Sequence, residues 1–183
     1  MYALDEARAV VVQVQPKHMQ LLTPYKDWQV AELLQHMLYE LSWVPDIVMN
    51  ETIALVGDRY EGDLLGDDPG QAWHRAYIQA REAVRRCNPA SIAHLSYGDT
   101  NVRTYLEEAA IDQLAHGWDL GRAIGIRVVF DDTIAQEMLA GTRKRRGQVL
   151  QGHVISKSLH VPETASVQTK LLAALGRNSN WQS

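Results

Sequence analysis

Cysteine is nearly absent. Cys87 is the only one in 183 residues, which excludes an intramolecular disulfide and a cysteine-rich zinc site, and its expected role is that of a small, partly buried hydrophobe. Long apolar runs are missing as well, and no stretch is long enough to span a bilayer. The N-terminal MYALDEARAVVVQVQPKH lacks the basic start and apolar run of a secretory leader, so the cytoplasm is the expected compartment. Positive charge is not in excess: 18 Lys and Arg face 22 Asp and Glu, a net charge of −4, which argues against a general affinity for nucleic acid. No internal repeat, low-complexity segment or linker marks a boundary, and one domain over residues 1–183 is expected. At this length roughly 70% of the unfolded chain's surface can be buried without a covalent staple.

What is present is helical periodicity. Five segments carry it: residues 4–14, ending near Pro16; 29–49, with Pro45 inside; 69–86, opened by Pro69; 102–124, closed by Gly125; and a segment after Asp131 and Asp132 that ends near Gly147. A short last helix over 165–175 ends at Gly176. The stretches NPASIAHLSYGDTN and GHVISKSLHVP read as ordered loops rather than strands. Several long helices joined by short or moderate loops predict an all-α bundle. The run RKRR, Arg143 to Arg146, falls late in a predicted helix, where cations suit the negative end of the dipole. The alternative role for that run is contact with an anionic ligand.

The stretch IDQLAHGWDLGRAIG, residues 111–125, concentrates the chemistry. On a wheel of about 100° per residue, Val102, Tyr105, Ala109, Asp112, Leu120 and Ala123 lie within roughly 40° of His116, and Asp119 about 60° away. Ile111, Leu114 and Trp118 occupy the opposite side, so this helix is expected to pack on both sides. Asp112 and His116 thus sit in an apolar stripe, where an ionised carboxylate is costly unless paired or bound to metal. Residues at i and i+4 are neighbours and can share a metal, but they also form simple hydrogen-bonded pairs. A metal needs a third ligand from a facing helix. Among the other histidines His36, on the flank of the apolar stripe of the second helix, is the best placed, with His74 and His94 as fallbacks.

These residues resemble a known family. TPYKDWQVAELLQHM is similar to the Thr-Pro…Trp-x-Val…Leu-Leu-x-His segment of the DinB-like proteins related to mycothiol-dependent maleylpyruvate isomerase. HGWDLGRAIG resembles that group's His-Gly-Trp-Asp-Leu-x-Arg-Ala-x-Gly signature, and ASVQTKLLAALGRNSNW resembles its closing Leu-Leu-x-x-Leu-Gly-Arg…Trp. The three matches keep the family order and span most of the chain. The resemblance implies an all-α, DinB-like four-helix bundle with short extra helices and ordered loops. It also implies a divalent metal held by His36, Asp112 and His116. Zinc is the default, and nickel or iron accept the same donors. A low-molecular-weight thiol such as mycothiol is the implied cosubstrate and a small electrophile the implied substrate. Asp119 would orient His116 or accept a proton, while Arg122 and Arg143 would bind carboxylates of substrate or thiol.

Two positions depart from the pattern. Asp112 stands where the family usually has Glu, and Gln29 where it often has a capping Thr, with Asp27 expected to cap instead. The chain ends at Ser183, where the isomerase continues into a further domain, so a literal maleylpyruvate isomerase is not expected. The expectation is a thiol-dependent transferase or isomerase. The alternative is a non-catalytic metal-binding bundle, a homodimer in a stress or regulatory role, with no membrane or nucleic-acid partner.

Overall fold

In a computed structural model the chain is mostly helical, and residues 1–25, 28–145 and 158–182 are described here. Seven helices occur among them: α1 (Tyr2–Val11), α2 (Val30–Val48), α3 (Ile53–Val56), α4 (Pro69–Arg86), α5 (Val102–Ala123), α6 (Asp132–Arg145) and α7 (Val167–Ala174). Asp27 lies outside the described residues. The observed device at the start of α2 is Glu32, whose carboxylate accepts from the Gln29 N–H at 2.8 Å. Pro45 does not end α2, which carries on to Val48.

Packing follows the apolar spacing. Val30, Leu33, Leu34, Met37, Leu38, Leu41, Val44, Ile47 and Val48 of α2 are all buried, and this face meets α4 and α5. The reverse side of α5 is taken by α1, so residues 113–121 of α5 are buried without interruption. Gly117 makes the close approach possible, since a Cβ there would stand 3.2 Å from the Ala7 Cα of α1. Gly121 has a similar constraint: its Cβ would lie 2.5 Å from a Val128 methyl. α6 and α7 pack against each other.

Both predicted glycine stops are present, at Gly125 and Gly176, with φ of 79° and 81°. At each, the N–H of the following residue reaches back to close the helix: Ile126 to the Gly121 carbonyl and Arg177 to the Leu172 carbonyl, both at 2.8 Å. One expectation is corrected. Residues 88–101 are not loop throughout, because Ile92–Ala93 (β1) and Thr100–Asn101 (β2) form a short antiparallel ladder. Buried Ala93 anchors it, and Asn101 caps α5 through its side chain. Two residues per strand leave too little alternation for a periodicity to register. Residues 152–157 and the expected end of the fifth helix near Gly147 lie outside the described residues.

Candidate metal centre

α2 supplies His36 and α5 supplies Asp112 and His116. One ligand atom from each lies within 4.8 Å of the other two. Asp112 stands between the imidazoles, with Oδ1 3.3 Å from His116 Nε2 and Oδ2 3.8 Å from His36 Nε2. The two rings meet edge to face with centroids 5.0 Å apart. Four residues make one helical turn, so Asp112 and His116 face the same neighbour, and the amide of Gln113 fixes the register by donating to the Met37 carbonyl at 3.0 Å. His116 is buried, whereas the side chains of His36 and Asp112 keep 21% and 25% of their surface exposed. The cluster therefore has one side toward the core and one toward solvent.

Three residues behind the cluster determine how His116 is presented. Its Nδ1 lies 3.0 Å from Asp119 Oδ2, and Asp119 is fully buried. A carboxylate at that depth needs a cation, and Arg177 supplies it, with Nη2 3.0 Å and Nε 3.3 Å from the same oxygen. Arg177 is fixed in turn: Nη1 donates to the Leu175 carbonyl at 2.8 Å, and the guanidinium lies 4.7 Å from the centre of the Tyr25 ring. Tyr25 packs edge-on to His116 at 4.6 Å, and Trp28 edge-on to His36 at 5.4 Å. With Nδ1 engaged by Asp119, His116 Nε2 is the nitrogen left for Asp112 and His36.

Electrostatics follow from this layout. Burial alone would push the His116 imidazolium down, but the charge and hydrogen bonding of Asp112, then of Asp119, outweigh it and hold the pKa at about 9. Without a cation in the cluster, the proton on His116 fills that role.

The expected site residues divide into two groups. His36, Asp112 and His116 come together, and Asp119 stands directly behind them, shielded from solvent and shared between His116 and Arg177. Arg122 is elsewhere. It donates to the Trp181 carbonyl and lies over the Trp118 ring at 5.8 Å, about 15 Å along α5 from Asp112 at the ordinary helical rise. Arg143 is exposed near the end of α6, and Arg146 lies outside the described residues. Neither fallback histidine joins the cluster: His74 is exposed on α4, stacked near Tyr77, and His94 pairs with Asp99 at 2.9 Å. His153 lies outside the described residues. Sequence reasoning missed the roles of Arg177, Tyr25 and Trp28. A signal existed for Arg177, because a buried Asp119 demands a cation and an arginine follows the glycine stop of α7.

The donor set suits a divalent ion. Tetrahedral zinc with bonds near 2.1 Å places its donors about 3.4 Å apart. His116 Nε2 stands 3.3 Å from one Asp112 oxygen and His36 Nε2 3.8 Å from the other. One donor atom from each residue lies within 4.8 Å of the other two, so binding at these bond lengths would draw the donors together. A histidine ligand whose other nitrogen is held by a buried carboxylate is the usual arrangement at metal sites. Compared with models of protein families, with curated proteins and with solved structures, the chain has no match.

Proposed function

We propose that this protein binds a divalent cation at His36, Asp112 and His116 within a DinB-like four-helix bundle of α1, α2, α4 and α5. Its proposed activity is that of a thiol-dependent transferase or isomerase acting on a small electrophile. The observation that carries the metal reading is the convergence of three donors from two helices, the deepest of them oriented by the buried Asp119–Arg177 pair. Zinc is the first choice of ion, with nickel or iron compatible with the same donors.

Three protein ligands leave a coordination position open, and a divalent ion there supplies Lewis acidity and favours the deprotonated form of a bound thiol. The chain's own contribution is positional. Asp119 fixes the His116 tautomer so that Nε2 faces the cluster. Arg177 neutralises Asp119, which lets that carboxylate remain buried. Tyr25 and Trp28 wall the two imidazoles and limit water around them. The exposed sides of His36 and Asp112 leave an approach from solvent, which supports an enzyme over the alternative of a closed, non-catalytic metal module.

The test is metal content of tag-free protein for wild type and for His36→Ala, Asp112→Ala and His116→Ala. About one equivalent is expected in wild type, with loss in all three variants. Substoichiometric metal in wild type after incubation with zinc or nickel overturns the metal reading. Retention in Asp112→Ala alone would remove Asp112 from the ligand set. If metal-loaded protein shows no turnover with mycothiol, bacillithiol or glutathione across an electrophile panel, the transferase reading fails and the metal module stands.

A further inference from the structure

The far end of α5 carries a second recess. Gly125, with φ of 79°, turns the chain back after the helix. In the segment that follows, burial alternates, with Arg127 and Val129 exposed and Val128 and Phe130 buried. Gln168 of α7 clasps this segment: its amide nitrogen donates to the Val128 carbonyl at 2.9 Å, and its oxygen accepts from the Phe130 N–H at 3.0 Å. Together with α5 and the tail at Ser179 and Asn180 they border a cavity of about 380 Å³, a size that suits a small molecule.

The cavity joins an apolar floor to a cationic wall. Trp118, Phe130 and Leu172 line it and are buried, and Arg122 and Arg127 line it as well. Arg122 is held in place, with Nη2 donating to the Trp181 carbonyl and the guanidinium 5.8 Å from the centre of the Trp118 ring. Its Nε is nonetheless buried without a hydrogen-bond partner among the described residues. A buried donor in that state is costly, and an oxygen of a bound molecule would remove the cost. Arg127 has no hydrogen bond or ion pair among the described residues.

The described walls also include Asp132, which forms an ion pair with neither arginine, so cations outnumber acids among them. The first turn of α7 adds to the same sign. Ser166 and Thr169 border the cavity, the Ser166 hydroxyl caps the helix by accepting from the Thr169 N–H at 3.1 Å, and a helix start is the positive end of its dipole. A guanidinium pairs with a planar carboxylate through two parallel hydrogen bonds. An inorganic anion would meet the arginines but leave the apolar floor without a partner.

We infer that this recess binds a small organic carboxylate, its head taken by Arg122 and Arg127 and its apolar body lying against Trp118, Phe130 and Leu172. It shares no residue with the His-Asp-His cluster, and Arg122 is about 15 Å from Asp112 along α5. The site therefore stands or falls separately from the metal reading.

The test is calorimetric titration of the full chain with 2-naphthoate, with its neutral counterpart 2-naphthamide and with inorganic phosphate. Naphthoate should bind at least about tenfold more tightly than the amide, because the two share a shape and differ in charge. It should also bind more tightly than phosphate, which has no apolar body. Arg127→Gln should weaken naphthoate severalfold, and Arg122→Lys, which keeps the charge but loses the planar fork, about tenfold. Arg103→Gln, exposed at the opposite end of α5, removes the same charge and should change nothing. His36→Ala should bind naphthoate as wild type does. Circular dichroism checks that each variant is folded, and Arg127→Gln decides the matter if Arg122→Lys is not. Equal affinity for the amide, phosphate bound as tightly as naphthoate, or no naphthoate binding at millimolar concentration would overturn the proposal. So would binding lost in His36→Ala, which would place the carboxylate at the His-Asp-His cluster, or binding unchanged in both arginine variants.

Discussion

Asp119 is the residue on which the site's order depends. It is fully buried, and its carboxylate is shared between Arg177 and the His116 imidazole. Removing one partner of such a pair leaves an uncompensated charge in the core. Arg177→Leu is therefore expected to cost about 3–5 kcal/mol in urea unfolding. Asp119→Asn, which removes the charge and keeps the shape, should cost less stability but reduce metal affinity about 10- to 100-fold. If Asp119→Asn leaves metal affinity unchanged, Asp119 has no part in orienting His116.

His116 sets the pH response at the same scale. Its pKa in the metal-free fold is about 9, above the roughly 6.5 expected of an unfolded chain. A raised pKa means that the folded state holds the proton more tightly. The associated stability is complete below about pH 6.5 and is lost as pH rises through 9. Chelator-treated protein should accordingly lose unfolding free energy across that window. Metal has to displace the same proton, so apparent metal affinity should rise about tenfold per pH unit up to about 9 and then level off. Flat affinity between neutral pH and 9 would show that His116 is already neutral in the free protein.

At the scale of elements, two of the three glycines of HGWDLGRAIG, Gly117 and Gly121, are explained by packing. Alanine is normally the better helix former by about 1 kcal/mol, yet Gly117→Ala would press on the α1 backbone at Ala7 and Gly121→Ala on Val128. Each substitution is expected to destabilise by about 1–3 kcal/mol, read as a lower urea midpoint. A stabilised Gly117→Ala would mean that α1 is not held closely against α5. The glycine stop after α7 has a different purpose. Left-handed Gly176 reverses the chain so that Arg177 turns inward to Asp119, joining a capping motif to the support of the His-Asp-His cluster.

Legibility also varied by element. Residues 69–86 and 102–124 were readable almost to the residue, because Pro69 opens the first, Gly125 closes the second, and no further proline interrupts either. The ladder of β1 and β2 was not, being held together by tertiary contact rather than by pattern. His36, Asp112 and His116 were visible as chemistry out of place in apolar stripes. Arg177 was visible only as part of a tail motif, because a partner 58 residues from Asp119 has no periodic relation to it.

For the molecule as a whole, the cluster ties α2 to α5 across 76 residues of sequence, and a bound ion would act as a cross-link between them. Binding to the folded state alone stabilises by about 2.7 kcal/mol at a hundredfold excess over Kd. Zinc added to metal-free wild type is expected to raise Tm in a concentration-dependent way, with no rise in His36→Ala. An equal rise in that variant would place the stabilising ion elsewhere. No helix among the described residues is long and apolar enough to cross a membrane.

The sequence by itself determined the helices, their buried faces and the residue types able to hold a metal, since each is written in local spacing and side-chain chemistry. Tertiary structure alone decided which charges meet. It sent Arg122 toward Trp118 and Trp181 and brought Arg177 to Asp119. It set Tyr25 and Trp28 against the imidazoles, and it brought Arg122 and Arg127 to one recess. Those pairings depend on how α1, α2, α5 and the chain after α7 pack, and packing is a property of the whole chain that no local period encodes.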